Sequence, residues 1–258
     1  MNRSSILQGC IALATALSPT LASAQDYARE KRWADEIVPA IVVGDPVYIQ
    51  QTRGRNPSHK FLALFADAPG AKTKTAIVLA HGVGVHPDHG LIGSLRSKLN
   101  DAGFATLSIQ MPVAGADAKV EDYYPVVFDE AAERLAASAR WLQAKGYRQI
   151  VLLSHSMGAW MANEYLINND TVPYNAWICI GVTGRILSPS SVKLPTLDLY
   201  GENDLEPTRR AAPLRRMMKL FMPSGSEQVE VAGADHYFAG KENDAASEIV
   251  KFVRGRGL

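Results

Sequence analysis

The chain has 258 residues, of which 47% are hydrophobic and 21% are charged. This composition is typical of a single globular domain with a sizeable core, and it excludes a fibrous or disordered chain. The net charge at pH 7 is only +1, so the chain lacks the basic field of nucleic-acid-binding proteins and no nucleic-acid partner is expected.

The first 24 residues have the three parts of a secretory signal peptide. Arg3 supplies the positive start, Ile6 to Leu17 is apolar but too short to span a membrane, and Ala22-Ser23-Ala24 is a small-residue cleavage site. We therefore predict a signal peptide over residues 1–24, a mature domain over residues 25–258, and a periplasmic or secreted location. An uncleaved N-terminal helix or anchor is the alternative.

Cleavage would leave a neutral chain with one cysteine. Arg3 is the only charged residue of the first 24, so the rest of the chain carries 26 basic and 26 acidic residues. Cys179 would be the only remaining cysteine, and its apolar neighbours predict a small buried side chain rather than a reactive thiol. No later apolar run is long enough to span a bilayer, so we expect no integral membrane segment.

Strand-like apolar runs then alternate with segments of helical periodicity. The alternation predicts an α/β fold, with a mostly parallel central sheet and helices on both faces. The predicted strands are Ile37–Gln50, Phe61–Ala66, Ala76–Ala80, Phe104–Gln110, Ile150–Leu153, Trp177–Val182, Thr196–Tyr200 and Gln228–Val231. The predicted helices are Leu91–Asp101, Phe128–Lys145, Gly158–Ile167, Thr208–Leu220 and Glu242–Val253.

The pentapeptide Ser154-His155-Ser156-Met157-Gly158 follows a predicted strand and opens a predicted helix. This is the context of a nucleophile elbow, a sharp turn that exposes the central serine above the sheet. Small residues two before and two after the serine let the strand and helix backbones approach each other. Gly158 meets this requirement, and Ser154 stands where a glycine is usual. His155 is expected to have a structural role.

A serine nucleophile needs a base and an acid that orients the base. His236 follows the last predicted strand, and Asp204 lies in the loop after the strand before it. The order Ser156, Asp204, His236 is the one found in proteins with a nucleophile elbow. Asp198, inside a predicted strand, and Asp235, beside the histidine, are worse placed. We predict a catalytic triad of Ser156, Asp204 and His236.

An oxyanion hole is predicted from the loop His81-Gly82-Val83-Gly84, which directly follows a buried strand. One N–H should come from Val83, with Gly84 as the alternative, and the other from Met157, which follows the nucleophile. Two fixed amides aimed at the developing oxyanion stabilise the transition state more than the ground state.

With these motifs in place, the chain resembles the α/β-hydrolases from about Thr75 to Phe252. Its small size and signal peptide are similar to exported bacterial members. The stretches Val85 to Gly90, VHPDHG, and Ala105 to Pro112, ATLSIQMP, resemble a bacterial subfamily with no established substrate. Ser154 departs from the usual elbow glycine, but this leaves the nucleophile assignment intact.

The resemblance implies that Ser156 is the nucleophile, Asp204 the acid and His236 the base, in a hydrolase of esters, amides or thioesters. Val182 to Thr196, where many α/β-hydrolases carry a lid, is too short for a large lid domain, so an open site is expected. We predict a carboxylesterase-like enzyme with a small-molecule or surface-exposed acyl substrate and neither cofactor nor metal. A peptidase or acyltransferase with the same triad, and a non-catalytic envelope binding protein, are the alternatives.

Further polar and aromatic residues have weaker claims on the site. His86, Asp88 and His89 invite comparison with a metal site, but no ligand from a distant segment is evident. We expect instead that Pro87 begins a helix with Asp88 in its first turn, and we keep His86 and Asp88 as pocket candidates.

Two tyrosines and the glycine of the predicted oxyanion loop are also pocket candidates. The alternative for the tyrosines is that they cover the core. These residues are Gly84, Tyr124 and Tyr237.

The pairs Arg209-Arg210 and Arg215-Arg216 lie at helical spacing and predict a solvated helix face.

Overall fold

The computed structural model describes residues 25–54, 56–71, 74–123 and 127–258. The predicted signal peptide, residues 1–24, and the pocket candidate Tyr124 lie outside the described residues. In the described part of the chain, no helix is both long and apolar enough to cross a membrane.

Eight strands and six α-helices alternate along these residues. The strands are β1 Asp45–Gln50, β2 Lys60–Ala66, β3 Thr75–Ala80, β4 Ala105–Ile109, β5 Gln149–His155, β6 Ala176–Ile180, β7 Thr196–Asn203 and β8 Glu227–Asp235. The helices are α1 Tyr27–Ile37, α2 Gly90–Asp101, α3 Phe128–Ala144, α4 Met157–Ile167, α5 Glu206–Met218 and α6 Glu242–Arg254.

The strands form one open sheet in the order β1-β2-β4-β3-β5-β6-β7-β8. Only the pairs β1–β2 and β2–β4 are antiparallel, and all the other pairs are parallel. The central strands β3 to β6 are buried almost throughout, because helices cover both faces of a parallel sheet. The predicted fold class is confirmed.

Helices α3 and α4 cover one face of the sheet, where Leu135 and Ala162 join the larger apolar core. Helices α2 and α6 cover the other face, where Leu95 and Phe252 join a second core. Since consecutive parallel strands end at the same edge, the loops after β3, β5, β7 and β8 meet there. This edge carries the residues that the motifs single out.

The first predicted strand is wrong at its beginning. Helix α1 ends at Ile37, a 3₁₀ turn spans Val38–Ala40, and β1 begins only at Asp45. The apolar residues at the end of α1 pack on Leu62 and Leu64 of β2. Ile37, Val38 and Ile41 are therefore apolar because they pack on β2, without being part of the sheet.

Candidate active site

Ser156 stands alone between the end of β5 at His155 and the start of α4 at Met157. Its backbone has φ 56° and ψ −122°, a region that residues other than glycine rarely adopt and that is strained. The Ser156 N–H donates to the carbonyl of Ile180 at 2.9 Å, which holds the turn to β6. The turn places the half-buried serine at the carboxyl edge of the sheet.

The contacts of positions 158 and 154, two residues after and two before the serine, explain why the first is glycine and the second is serine. A β-carbon at position 158 would lie 2.7 Å from the carbonyl oxygen of Ala80 and closer still to that of His81, so only glycine fits. Ser154 instead accepts a hydrogen bond from the indole Nε1–H of Trp177 at 2.9 Å and donates to the Ile178 carbonyl at 3.3 Å. Ser154 therefore satisfies a buried indole N–H that a glycine would leave without this acceptor.

His236 joins the serine to a carboxylate. Its Nε2 lies 3.0 Å from Oγ of Ser156, and its Nδ1 lies 2.7 Å from Oδ1 of Asp204. Asp204 directly follows β7 and His236 directly follows β8, and both side chains are buried. The structure thus brings together all three residues of the predicted triad, with the histidine between the hydroxyl and the carboxylate.

Asp204 is held in its ionised form. Burial alone would raise its pKa, but the hydrogen bond and charge of His236 oppose burial, as do the N–H groups of Leu205 and Gly201. The Leu205 N–H donates to Oδ1 at 2.7 Å and the Gly201 N–H to Oδ2 at 3.3 Å. The pKa of Asp204 therefore lies below its usual value. At neutral pH the carboxylate is charged and can accept a hydrogen bond from His236.

Two neighbours contribute to the position of His236, and the sequence analysis singled out only one of them, His155. Gly181, with φ +62°, follows β6, and a β-carbon there would lie 3.0 Å from the His236 ring. The Nε2 of His155 lies 2.9 Å from the carbonyl oxygen of His236 and donates to it. Burial, together with the adjacent His236, lowers the pKa of His155 to about 4, so its ring is neutral and acts as a structural donor, as expected.

The predicted oxyanion loop passes directly against the serine. A β-carbon on Gly82 would lie 3.2 Å from Cβ of Ser156, and Val83 lines the space beside the hydroxyl. Neither the Val83 N–H nor the Met157 N–H donates to an acceptor among the described residues. The Met157 N–H also belongs to the first turn of α4, where helix geometry leaves donors unpaired. Two amides that have no acceptor in this part of the chain are what the predicted oxyanion hole requires.

His81 fixes the shape of this loop. Its Nε2 accepts from the Met111 N–H at 2.9 Å, so the proton is on Nδ1, which donates to the Gly82 carbonyl at 2.8 Å. Burial lowers the pKa of His81 to about 3, and the ring therefore stays neutral. Gly84, the alternative donor and pocket candidate, is not among the described residues that line the space beside Ser156; its carbonyl accepts from Arg29 at 3.3 Å.

Two cavities meet at the serine. The larger, of about 730 Å³, lies on the α3–α4 side; its lining includes the apolar Val120, Phe128, Met157, Trp160, Leu187 and Leu205, with Glu121, Glu164 and Thr183 as polar members. The smaller, of about 510 Å³, lies on the α2–α6 side; its lining includes His81, His89, Leu91, Ile92, His155 and Glu242. Val83, Ser156, His236 and Tyr237 line both cavities. A substrate bound across the serine therefore meets two different surroundings.

Sequence comparisons cover little of the chain. Residues 49–125 match the model of a family described as a protein of unknown function, DUF3530. None of the curated protein sequences matches the chain.

Solved structures match more than four fifths of it. XC6422 of Xanthomonas campestris, described as an α/β serine hydrolase without a lid, is 16% identical with a TM-score of 0.63 over 84% of this chain and 96% of that one. A dienelactone hydrolase of Anabaena variabilis is 20% identical, with a TM-score of 0.61 over 81% and 98%. The esterase Pf2001 of Pyrococcus furiosus is 15% identical, with a TM-score of 0.60 over 83% and 97%.

The chain has the α/β-hydrolase fold. At these identities the likeness concerns the fold alone, so the subfamily and the activity remain predictions. Between β6 and β7 the only regular element is a 3₁₀ turn, Pro189–Ser191. This α/β-hydrolase fold therefore has no large lid domain at that position, as its short Val182 to Thr196 connection predicts.

The loop after β3 differs from its prediction. Helix α2 begins at Gly90, not at Pro87, and the Asp88 carboxylate, outside the helix, accepts from Nε of Arg96 at 2.6 Å. His86 packs edge-on against Trp33, with 5.9 Å between the ring centroids. Neither His86 nor Asp88 is among the described residues that line the two cavities; His89 lines the smaller one.

Of the remaining pocket candidates, Tyr237 lies at the mouth of both cavities and is 64% exposed. It does not cover the core. The described residues contain no group of three or more His, Cys, Asp or Glu side chains arranged to hold a metal ion. Cys179 is free and buried, and burial raises the pKa of its thiol well above the usual value.

The prediction of a solvated arginine face is wrong for Arg215. This side chain is fully buried, and its Nε donates to Oδ2 of Asp198 at 2.8 Å. Its Nη1 donates to the backbone carbonyls of Val182, Gly184 and Thr208. Arg215 therefore ties α5 to the loop after β6, where the carbonyls of Val182 and Gly184 need donors. The other three arginines of α5 are exposed.

Proposed function

We propose that the protein is a serine hydrolase that cleaves acyl esters through an acyl-enzyme. The observation that carries the proposal is the continuous contact from the Ser156 hydroxyl through His236 to Asp204, at 3.0 and 2.7 Å. A strained backbone at Ser156 adds weight, because strain of this kind persists where function requires it.

In the proposed reaction, Oγ of Ser156 attacks the acyl carbon while Nε2 of His236 takes the hydroxyl proton. Asp204 orients the imidazole and stabilises its charged form. The N–H groups of Val83 and Met157 bind the tetrahedral oxyanion. His236 then gives its proton to the departing alcohol, and water, activated by the same histidine, hydrolyses the acyl-enzyme.

The two cavities suggest how the ester is oriented. The acyl group is assigned to the larger, apolar cavity between Phe128 and Leu205, because burial of apolar surface there is favourable. The alcohol is assigned to the smaller cavity, where His89 and Glu242 offer polar contacts. With no large lid, the substrate is a small molecule or a surface-exposed acyl group.

The names of two similar structures, a dienelactone hydrolase and an esterase, favour ester bonds. A peptidase or acyltransferase would use the same three residues. A non-catalytic binding protein has no need of a strained serine hydrogen-bonded to a buried histidine and carboxylate, so we place it last.

The test is turnover of p-nitrophenyl esters of increasing acyl length, beside peptide substrates and ester substrates with an added alcohol acceptor. We expect ester hydrolysis that rises from acetyl to medium-length acyl groups and that Ser156→Ala abolishes. Cleavage of peptides alone, or transfer to the alcohol in place of hydrolysis, would replace the ester proposal with one of its alternatives.

Export is a separate proposal, which rests on the sequence of residues 1–24. The chain recovered from a bacterial envelope fraction should begin at Gln25, as measured by N-terminal sequencing or intact mass. A full-length chain with Met1 or Asn2 in the cytoplasm would contradict it.

A further inference from the structure

Helix α5 and the turn after it present a stripe of exposed side chains. Arg210, Leu214, Met217 and Phe221 follow one another at intervals of four, three and four residues, which places them on one side of a helix. Met217 is 64% exposed, Phe221 67%, and Leu220 beside them 80%. We call Arg210, Leu214, Met217, Leu220 and Phe221 the α5 ridge.

The concentration of apolar side chains on this ridge is unusual for the molecule. Among the described residues, nine large hydrophobic side chains are exposed, and five of them lie in the segment 205–221. Single exposed apolar residues are ordinary, but a contiguous group of them indicates a surface that contacts something other than water.

The charged side chains of α5 and of the turn after it indicate the chemistry of that partner. Arg209, Arg210 and Arg216 are exposed and Lys219 is half-buried, whereas Glu206 is the only acid of this helix and pairs with Arg210 at the surface, at 3.3 Å. Exposed ion pairs of this kind are weak. Basic and apolar side chains on one exposed helix face match an anionic lipid surface, where the charges meet phosphates and the apolar groups enter the interface.

A second copy of the chain fits this surface less well. A two-fold interface through the α5 ridge would set its basic side chains against the same side chains of the partner, and like charges across an interface are repulsive. Lipid removes this conflict, because its phosphates neutralise the basic groups. Long arginine side chains also reach phosphates while their stems lie along apolar surface.

The helix that carries the α5 ridge starts at the mouth of the larger cavity. Helix α5 begins directly after Leu205, which lines that cavity and is itself 46% exposed. Val120 and Tyr237 add exposed apolar surface at the same mouth. We propose that the α5 ridge docks the protein on an anionic lipid membrane. That the membrane then supplies the acyl substrate rests on the proposed function; the docking itself does not.

The experiment is co-sedimentation of the protein, as recovered from expressing cells, with vesicles of phosphatidylcholine alone or mixed with phosphatidylglycerol. One variant, Met217→Glu/Phe221→Glu, removes the apolar contact, and another, Arg210→Glu/Arg216→Glu, reverses the charge. The matched control is Val42→Glu/Tyr48→Glu, because these side chains are also exposed and apolar but lie at or beside β1, the opposite edge of the sheet.

We expect binding to the phosphatidylglycerol vesicles that is at least about tenfold stronger than to phosphatidylcholine and weakens with salt. Both ridge variants should lose at least about tenfold in binding, while the control and Ser156→Ala bind like the wild type. Folding of each variant is checked by its activity on a soluble ester or, failing activity, by circular dichroism.

Three results would overturn the proposal. The first is a folded wild-type protein that does not bind phosphatidylglycerol vesicles. The second is an equal loss of binding in the control and the ridge variants, or no loss in either, which would place the contact elsewhere, such as in residues 1–24. The third is a dimer in sedimentation velocity that the ridge variants dissociate, which would make a second copy the occupant. None of them affects the proposed chemistry, which Ser156→Ala tests separately.

Discussion

Strand β7 and the residue after it carry two buried aspartates, Asp198 and Asp204, and each contacts a basic side chain. Asp198 accepts from Nε of Arg215 at 2.8 Å, and Asp204 accepts from Nδ1 of His236 at 2.7 Å. The two carboxylates are similar in burial and in distance to their partners. They differ in what their partners can do.

A guanidinium stays charged in proteins and holds its hydrogen bonds as a fixed fork. Arg215 therefore links Asp198 to the carbonyls of the loop after β6 through permanent hydrogen bonds that hold these parts of the structure together. An imidazole can gain and lose a proton near neutral pH and has a second nitrogen, and in His236 that nitrogen faces Ser156. Asp198 thus serves the stability of the fold, whereas Asp204 is proposed to orient the imidazole of His236. Substitution of each aspartate should separate the effect on stability from the effect on activity.

The largest effect is expected from Ser156→Ala. It removes the attacking hydroxyl, so kcat on an ester substrate should fall by about 10⁵- to 10⁶-fold. The free energy of unfolding in urea should change by less than about 1 kcal/mol, because alanine keeps the backbone and removes one half-buried atom. Wild-type turnover in this variant would refute the mechanism altogether.

Asp204→Asn comes next. The amide cannot hold the imidazole in the required tautomer, so kcat should fall by about 10⁴-fold, measured with the same ester. The control is Asp235→Asn, whose carboxylate accepts from the exposed N–H groups of Tyr237 and Ala239 and which should keep activity within a few-fold. If Asp235→Asn were inactive and Asp204→Asn active, the assignment of the acid would be wrong.

Asp198→Asn should show the opposite pattern. It leaves the buried Arg215 charge without its carboxylate, and breaking such a pair costs about 3–5 kcal/mol of unfolding free energy. The activity per folded molecule should stay within a few-fold of the wild type. Denaturant unfolding beside single-turnover ester assays measures both quantities. A stable but inactive Asp198→Asn would show that this pair also serves the chemistry.

The smallest effect is a pH dependence of stability at Asp204. Because folding lowers the pKa of this carboxyl, its charge stabilises the folded state above the unfolded pKa of about 3.9. This stabilisation is lost as the pH falls through the lower, folded value. The difference in unfolding free energy between the wild type and Asp204→Asn should therefore shrink as the pH falls below about 4. A difference that grows on acidification would mean that the pKa is raised.

Much of the site was predictable because its signals are local. Ser156 lies in a strand-turn-helix motif, and Asp204 and His236 each directly follow a strand. Parallel strands end at one edge, so the sequence order of these three residues predicts their meeting. The strands and helices from β2 onward fall within a few residues of their predicted bounds for the same reason.

The missed features depend on contacts between distant residues. Helix α1 depends on contacts with later parts of the chain: Glu30 accepts from the fully buried Arg134 of α3 at 3.0 Å, and apolar residues at the end of the helix pack on Leu62 and Leu64 of β2. Arg215 belongs to a charged repeat, and only its meeting with Asp198 takes it into the interior. Gly181 leaves room for an imidazole that is 55 residues later in the chain, and no local pattern indicates that need.

The central claim is that Ser156 is a nucleophile activated by His236. Labelling of the purified protein with a fluorophosphonate, followed by peptide mapping in a mass spectrometer, tests it most directly. The account predicts one modified peptide with the label on Ser156, rapid labelling that His236→Ala and Asp204→Asn slow, and normal labelling in folded Asp198→Asn. A protein that stays unlabelled, or one labelled equally fast in His236→Ala, would contradict it.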